Sequence, residues 1–281
     1  MKFLRQLCKN IVIAVIVFGI LIIGFAWFFQ ENLIHYPTKY TVKELELFSK
    51  QRPDLKFWPD KSDYRGIIAE PPANKKILGT VVMFHGNAGS VIERIWYADS
   101  LSALGYRVIL HEHPGYGARD GKLDEKNLVN DGVESVRFAR IKYGRPVYIV
   151  GESLGSGVAA GVISQAESEG AALIVPWDRI VNVAKKFYWY LPVELLLKEK
   201  YDSIENLKAF KGPLAVVMAE NDEIIPPECS RNLYESFGGK KKLWISKGAG
   251  HNSWSSIATP IFWKDIMGFV SGSENNIQAE K

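Results

Sequence analysis

Hydrophobic positions along the chain fall into short compact runs and into longer stretches of helical spacing, and the two kinds alternate. Runs rich in β-branched residues predict strands at 64–69, 77–84, 106–110, 147–150, 171–175, 214–218 and 242–245. Apolar residues three and four apart predict helices after the second of these runs and at 125–141, 227–237 and 261–270. Strands that alternate with helices predict an α/β fold with a mostly parallel sheet covered by helices on both faces.

One segment interrupts this alternation. Residues 177–210 form a helical insertion rich in aromatic residues, which we expect to make a short cap over the carboxyl ends of the strands. Two interpretations of the aromatic residues remain open, because they would either line an acyl pocket or pack against the sheet edge. The expected domain covers residues 31–271, and residues 272–281 are a polar tail.

The N-terminal segment has a different character. Residues 11–29 are 19 consecutive positions without a charge or an amide, enough to cross a hydrocarbon core of roughly 30 Å. Lys2, Arg5 and Lys9 precede this stretch and favour a cytoplasmic N-terminus. A cleaved signal peptide is the alternative, but the stretch is long and ends in three aromatic residues without a small-x-small cleavage site. The sequence therefore predicts a membrane anchor at 1–30, with the domain on the non-cytoplasmic side.

Composition is that of a globular protein of 281 residues, with 47% hydrophobic and 23% charged residues, and one large α/β domain is the simplest arrangement. The net charge is +4, but outside the N-terminal segment 32 cations face 31 anions, which leaves +1 and argues against a nucleic-acid surface. Cys8 and Cys229 lie on opposite sides of the proposed anchor, so we expect no disulfide between them.

The chemistry centres on the sequence Gly151-Glu152-Ser153-Leu154-Gly155, which follows a β-branched run and precedes small residues that favour close helix packing. The order strand, tight turn and helix is that of a nucleophile elbow, in which a serine is held at the apex of a sharp turn. A glycine two residues to either side relieves the crowding that such a turn creates. Ser153 is therefore the predicted nucleophile.

Two other interpretations of this segment stay open at the sequence level. Gly155, Gly157 and Ala160 satisfy the dinucleotide-binding pattern G-x-G-x-x-A, and Asp178 follows 23 residues after the first glycine. The glycines are also compatible with a plain packing turn that lets a helix approach a strand.

Two later loops supply the partners that a serine nucleophile needs. Asp222 follows the strand ending at 218 and His251 follows the strand ending at 245, and loops at the carboxyl ends of parallel strands meet at one edge of a sheet. We expect His251 to accept the proton of Ser153, and Asp222 to orient and stabilise the imidazole. Glu220 and Glu223 are nearby, but a short and rigid carboxylate suits the orienting role better.

An acyl-transfer intermediate also needs donors for its oxyanion. The backbone N–H groups of Leu154, directly after the nucleophile, and of Asn87, in the loop after the second strand, are the predicted donors. His85, His111 and His113 do not have the carboxylate spacing of a metal site, and a serine triad needs no cation, so we expect neither metal nor cofactor.

These motifs in this order resemble the α/β-hydrolase superfamily, and more narrowly its membrane-anchored branch that includes Bem46 and the α/β-hydrolase domain-containing 13 and 17 proteins. The resemblance covers nearly the whole chain and rests on the N-terminal anchor and on the motifs at 85–89, 115–117, 151–155, 222–227 and 251–252. It implies hydrolysis of an acyl ester or thioester, with lipids or acylated proteins as substrates. Glu152, Pro114 and Ser253 depart from residues common in the branch, so a relative's substrate does not carry over.

Three functional hypotheses follow. The first is a membrane-anchored serine hydrolase with the triad Ser153, Asp222 and His251. The second is a membrane-tethered scaffold that keeps the hydrolase fold without catalysis, because a fold alone does not establish an activity. The third is a nucleotide-dependent oxidoreductase that uses the glycine loop, and it leaves the acid and histidine loops without a purpose.

Overall fold

The computed structural model describes residues 1–273, so residues 274–281 of the predicted polar tail lie outside the described part of the chain. Within that part, ten strands form. They are β1 (Tyr36–Pro37), β2 (Leu55–Trp58), β3 (Gly66–Ala69), β4 (Gly79–Phe84), β5 (Ala88–Gly89), β6 (Tyr106–His111), β7 (Val147–Glu152), β8 (Gly170–Ile174), β9 (Leu214–Ala219) and β10 (Lys241–Ser246).

Helices separate most of these strands, and two 3₁₀ helices, Val91–Arg94 and His251–Ile257, add to them. The α-helices are α1 (Lys2–Ile34), α2 (Val42–Gln51), α3 (Ile95–Ser102), α4 (Glu125–Tyr143), α5 (Leu154–Ile163), α6 (Ile180–Phe187), α7 (Val193–Leu196), α8 (Ser203–Leu207), α9 (Pro227–Ser236) and α10 (Pro260–Ser271).

Eight strands make one sheet in the order β10-β9-β8-β7-β4-β6-β3-β2. The strands from β10 to β6 pair in parallel, and β3 and β2 add an antiparallel edge. The predicted α/β fold with a mostly parallel sheet is therefore confirmed. The sequence analysis missed β2, because the strand is only four residues long and its burial does not alternate with period two.

Both faces of the sheet are buried, which explains why its central strands are continuous apolar runs. Val82 and Ile149 point into the core on the side of α4 and α5, whereas their neighbours Val81 and Val150 point into the core on the side of α3 and α10. All four side chains are fully buried. Burial of side chains of this size contributes roughly 1.5–3 kcal/mol each, so the rigid centre of the sheet is a firm base for β7 and the residues that follow it.

The N-terminal helix α1 projects from this domain. At 33 residues it is roughly 50 Å long, and in the described part of the chain it is the one helix long and apolar enough to cross a membrane. The helix continues four residues beyond the predicted anchor boundary at residue 30 and ends where His35 takes an extended backbone. Gln30 is the one buried residue of α1, so only the C-terminal end of the helix packs on the domain.

The insertion at 177–210 contains three short helices with different surroundings. The helices α6 and α7 contact each other at the surface, whereas α8 packs against α5 and α9 in the helical layer of the domain. An antiparallel bridge between Arg179 and Asp202 closes the base of the insertion. The part that stands over the sheet is therefore made by α6 and α7 alone.

Four of the chain's five histidines, His35, His85, His111 and His113, are buried together beneath the loop that follows β4. Burial lowers the pKa of His35 to about 4, against an opposing effect of Asp124. Burial also lowers the pKa of His111, and it lowers that of His113 well below the ordinary value. These three imidazoles are therefore neutral in the folded protein near pH 7.

This cluster predicts that the protein loses stability under mild acid. Between the ordinary histidine pKa of 6.5 and the value of about 4 for His35, the unfolded chain binds a proton that the folded chain does not. The free energy of unfolding therefore falls as the pH is lowered through this window, by about 2 kcal/mol at pH 5 from His35 alone. Denaturant unfolding of the detergent-solubilised protein between pH 7.5 and 5 measures this slope.

The variant His35→Gln is the matched comparison, because it keeps a hydrogen-bonding side chain but removes the titrating group. We expect a shallower dependence of the unfolding free energy on pH in this variant, whatever its stability at pH 7.5. Parallel pH profiles for the two proteins would contradict the assignment.

Candidate active site

Ser153 lies at the turn between β7 and α5, with φ 53° and ψ −117°. A backbone conformation of this kind costs roughly 1–3 kcal/mol for a residue with a side chain and persists only where neighbours hold it. Here the Ser153 N–H donates to the carbonyl of Ile174 at 2.9 Å. The Ser153 carbonyl accepts from the N–H of Ser156 at 2.8 Å and from its hydroxyl at 2.6 Å.

The glycines on either side of Ser153 are required by crowding. A Cβ on Gly151 would lie 2.4 Å from the carbonyl oxygen of Gly155, and a Cβ on Gly155 would lie 2.1 Å from that of Phe84. Backbone atoms at these distances leave no room for any side chain. The strand-turn-helix geometry is thus the one expected for a nucleophile elbow.

The same packing argues against the dinucleotide alternative. A Cβ on Gly157 would lie 2.8 Å from the ring of Trp177, so protein atoms occupy the space beside this glycine as they do beside Gly155. Asp178, the proposed ribose partner, is buried and accepts from the N–H of Arg179 and from the side-chain amide of Asn182. The glycines therefore serve close packing, and the carboxylate holds the start of α6.

The structure brings Ser153, His251 and Asp222 together, although they are far apart in sequence. The Ser153 hydroxyl lies 2.9 Å from Nε2 of His251, and Nδ1 of the same ring lies 2.8 Å from Oδ2 of Asp222. An ionised carboxylate only accepts hydrogen bonds, so Nδ1 carries the proton and Nε2 is left to accept from the serine. The three residues are 8%, 7% and 5% exposed, so electrostatic interactions between their side chains are little screened by water.

The carboxylate of Asp222 is fixed from its other side. Its Oδ1 accepts from the backbone N–H groups of Ile224 at 3.0 Å and Ile225 at 2.7 Å. The two neighbouring acids have other contacts, since Glu223 accepts from the backbone N–H of His251 and Glu220 accepts from that of Gly248. Of the three acids in this loop, Asp222 alone meets the imidazole ring.

The two predicted oxyanion donors lie beside Ser153. The N–H of Leu154 begins α5, and in residues 1–273 neither it nor the N–H of Asn87 donates to a protein acceptor. Nδ1 of His85 donates to the carbonyl of Gly86 at 2.8 Å, and this carbonyl shares a peptide plane with the Asn87 N–H. Fixing the carbonyl therefore also fixes the direction of the N–H.

Sequence analysis missed the contribution of Tyr116 and His35 to this loop. The Tyr116 hydroxyl donates to the carbonyl of Asn87 at 2.9 Å, and Nδ1 of His35 lies 3.0 Å from the same hydroxyl. The signal was the tyrosine between Gly115 and Gly117, both of which have positive φ angles. Glycine at such positions permits a tight turn, and that turn delivers the buried tyrosine to the loop.

A cavity of about 500 Å³ opens next to Ser153 and His251. Its walls come from the end of α1, from α6 and α7, and from the loops that carry the triad; the apolar lining includes Trp27, Leu33, Ile34, Ile180, Val183, Phe187, Tyr188, Leu191 and Leu196. The first interpretation of the aromatic insertion holds for Phe187 and Tyr188, which line the cavity. Trp189 and Tyr190 are 81% and 63% exposed and contact each other edge to face.

Glu152, one of the departures from the family pattern, has a clear place in the structure. Its Oε2 accepts from Nε of Arg94 and from the hydroxyl of Tyr97, each at 3.0 Å. The pair formed by Glu152 and Arg94 lies at the polar end of the cavity, beside Asn87. This end of the cavity therefore presents two balanced charges rather than a single one.

The histidines named in the sequence analysis have protein partners of their own. His113 Nε2 donates to the carbonyl of His85 at 3.0 Å, and His111 Nε2 lies 3.0 Å from Asp131. No group of three histidine, cysteine, aspartate or glutamate side chains within residues 1–273 is placed to hold a metal ion. Cys8 is exposed and Cys229 is buried, and both are free thiols.

Comparison with known proteins connects this geometry with hydrolases. The family model Hydrolase_4, described as serine aminopeptidase S33, matches residues 75–199, which include Ser153. The uncharacterized protein Rv2307c of Mycobacterium tuberculosis is 28% identical over 261 residues, which is 90% of this chain and 90% of that protein. Lysophosphatidylserine lipase ABHD12 of Macaca fascicularis is 30% identical over 175 residues, which cover 55% of this chain and only 44% of the lipase.

Solved structures give the same fold. The Pyrococcus furiosus esterase Pf2001 superposes with a TM-score of 0.58 at 20% identity, over 72% of this chain and 82% of the esterase. Est1E of Butyrivibrio proteoclasticus, solved with ferulic acid, superposes with a TM-score of 0.59 at 16% identity, over 71% of this chain and 92% of Est1E. The family model and the lipase relatives support a hydrolase. Together these findings support an assignment to the α/β-hydrolase superfamily, with ABHD-like relatives.

Proposed function

We propose that this protein is a membrane-anchored serine hydrolase that cleaves an acyl ester or thioester through an acyl-enzyme intermediate. The observation that carries the proposal is the unbroken pair of hydrogen bonds from Ser153 through His251 to Asp222, at 2.9 and 2.8 Å. A hydroxyl, an imidazole and a carboxylate in this order are the parts that activate a serine for attack on an acyl carbon.

In the first step, Nε2 of His251 takes the proton of the Ser153 hydroxyl as the oxygen attacks the acyl carbon. Asp222 accepts from Nδ1 throughout and stabilises the imidazolium that forms. The acyl oxygen becomes an oxyanion between the N–H groups of Leu154 and Asn87. The Leu154 donor also lies at the N-terminus of α5, where the helix dipole favours negative charge.

Collapse of this intermediate breaks the bond between the acyl carbon and the leaving group, and His251 returns its proton to the leaving alcohol or thiol. A water molecule then gives a proton to Nε2 and attacks the acyl-serine ester. The second intermediate breaks down to a carboxylic acid, and Ser153 regains its proton. The cycle needs no cofactor, because the proton passes among the Ser153 hydroxyl, His251, the leaving group and water.

The substrate we favour is an acyl ester of a lipid. The cavity beside Ser153 is lined mainly by apolar side chains from α1 and the cap, which suits a hydrocarbon chain. The relative ABHD12 bears the name lysophosphatidylserine lipase, which is also an acyl-ester hydrolase. A thioester or an acylated protein would present the same acyl group to Ser153 and differs in the leaving group.

We further propose that α1 anchors the protein in a membrane with the domain on the non-cytoplasmic side. The helix has the length and composition of a membrane span, and its apolar side chains are exposed. Lys2, Arg5 and Lys9 at its start favour a cytoplasmic N-terminus.

The Ser153→Ala variant tests the proposed chemistry. We expect it to lose labelling by a fluorophosphonate probe and to lower the hydrolysis of p-nitrophenyl butyrate by at least about 10³-fold, because the nucleophile is gone. The matched control is Ser164→Ala, which removes an exposed serine at the end of α5 and keeps both signals. Equal labelling of wild type and Ser153→Ala would contradict the assignment of Ser153 as the nucleophile.

The Asp222→Asn variant tests the orienting acid. The amide keeps the size of the side chain but no longer stabilises the imidazolium, so we expect kcat to fall by about 10²- to 10⁴-fold. Glu220→Gln changes a carboxylate in the same loop that does not meet the ring, and we expect nearly wild-type kcat. The reverse ranking of the two variants in ester hydrolysis would show that the acid is misassigned.

Membrane orientation is testable with the chain's own thiols. Cys8 is exposed and precedes the proposed span, whereas Cys229 is buried and does not react readily. We expect an impermeant maleimide to leave the wild-type protein unlabelled in intact cells. A Ser236→Cys variant in a Cys8→Ser background places an exposed thiol on α9 and is expected to react. Labelling of Cys8 alone from outside would reverse the proposed orientation.

A further inference from the structure

The end of the anchor helix is bound to the cap. The side chain of Gln30, the buried residue of α1, donates to the carbonyl of Leu196 at 3.3 Å and accepts from the backbone N–H of Lys198 at 2.8 Å. Both partners lie in or directly after α7. The Gln30 side chain therefore forms hydrogen bonds with two backbone groups of the cap. These bonds join α1 and α7 into one continuous wall of the cavity.

The same helix end is bound to the oxyanion loop. The side-chain amide of Asn87 donates to the carbonyl of Ile34 at 3.2 Å, and the N–H of Tyr36 donates to the carbonyl of Asn87 at 2.8 Å. The last residues of α1 therefore reach the reaction centre itself. The anchor is a component of the site as well as a tether.

One face of this helix end lines the cavity. Residues 26, 27, 30, 33 and 34 face it, and their spacing is that of a single helical stripe. Phe25 lies outside the stripe, is 62% exposed, does not line the cavity and has its ring contact with Phe29. The chain therefore offers two nearby aromatic residues of α1, Trp27 on the cavity side and Phe25 on the outer side.

The cavity and the apolar stretch overlap. Residues 26 and 27 belong to the stretch 11–29 that we assign to the membrane, and they also line the cavity. Nζ of Lys198 lies 4.2 Å from the centre of the Trp27 ring, so the apolar wall meets a cation where α1 joins the cap. A tryptophan beside a lysine is a typical arrangement at the boundary of a membrane.

The cap is apolar on its outer side near this junction. Leu195, adjacent to the Leu196 carbonyl that binds Gln30, is 84% exposed, and Trp189 is 81% exposed. Side chains of this kind are stabilised when the surface that carries them lies against hydrocarbon. The junction of α1 and α7 is thus close to exposed apolar side chains on both the proposed membrane helix and the cap.

We propose that the cavity receives the acyl chain of a lipid ester directly from the leaflet in which α1 ends, and that Trp27 and Leu33 of the anchor determine which chain lengths are accepted. The inference rests on the proposed hydrolase function and adds the substrate's source and its specificity residues. The acyl chain of the substrate would lie along α1, with the ester group at Ser153 and the methyl end of the acyl chain toward the leaflet.

Chain-length selectivity of the full-length protein tests the role of the anchor. The measured quantity is the ratio of kcat/KM for p-nitrophenyl palmitate to kcat/KM for p-nitrophenyl butyrate, in mixed micelles. We expect Trp27→Ala and Leu33→Trp, which remove or fill part of the wall, to change this ratio by about tenfold or more. Phe25→Ala is the matched control on the same helix and is expected to keep the wild-type ratio.

The source of the substrate is tested in nanodiscs. We expect p-nitrophenyl palmitate to be hydrolysed about tenfold faster when it shares a disc with the enzyme than when it is supplied in separate discs, because the shared leaflet raises its effective concentration. Equal rates would overturn entry from the leaflet. The butyrate ester, which exchanges freely through water, serves as the reference for enzyme content.

Different results would contradict the proposed hydrolase function and the proposed role of α1 in substrate selection. If the wild-type protein hydrolyses both esters and labels at Ser153, but neither anchor variant moves the selectivity ratio, the inference about α1 is wrong and the hydrolase function stands. If the wild-type protein hydrolyses neither ester and is not labelled, both fall. Thermal unfolding of each variant shows whether a lost activity reflects a lost fold. If one of the two anchor variants is unfolded, the selectivity ratio of the other variant decides whether the inference holds.

Discussion

The contact between Gly155 and the end of β4 is the constraint on which the site depends. Because Gly155 has no Cβ, α5 approaches the sheet more closely than any other residue type at this position would allow. A Cβ there would collide with the carbonyl of Phe84. That approach brings two turns together, the one after β7 that carries Ser153 and the one after β4 that carries Asn87. The proposed nucleophile and the proposed oxyanion donor are thus positioned by a single backbone contact, and the φ angle of Ser153, 53°, is the local strain that accompanies it.

Much of the fold could be predicted from sequence because the relevant signals are local. The alternation of apolar runs with helical spacing indicated the α/β sheet, and strand ends indicated the edge at which Ser153, Asp222 and His251 meet. At the sequence level, only their longer side chains argued against Glu220 and Glu223 as the acid that orients His251. The structure adds the physical reason, since Glu220 and Glu223 are occupied by backbone N–H groups of the histidine loop.

The support around the site could not be predicted, because it depends on contacts between distant segments. Nothing local in Gln30 indicates that an amide inside an apolar helix binds backbone groups 166 and 168 residues away. The hydrogen bond from Tyr116 to Asn87 and the neighbouring His35 are equally non-local. Buried polar groups of this kind are costly unless they find partners, and their partners are visible only in three dimensions. The predicted anchor ends at residue 30, where the composition changes, and the helix that carries it continues to Ile34.

The unbroken course of α1 has a mechanical consequence. The helix runs from Lys2 to Ile34 without a break, so there is no flexible linker between the apolar segment and the catalytic domain. A helix adapts to bilayers of different thickness chiefly by tilting. In a chain built this way, tilt would turn the whole domain with it, and hydrophobic mismatch would alter the angle at which the cavity faces the headgroups. Bilayer thickness would thereby change the orientation of the domain, because the continuous helix transmits its own tilt to the domain.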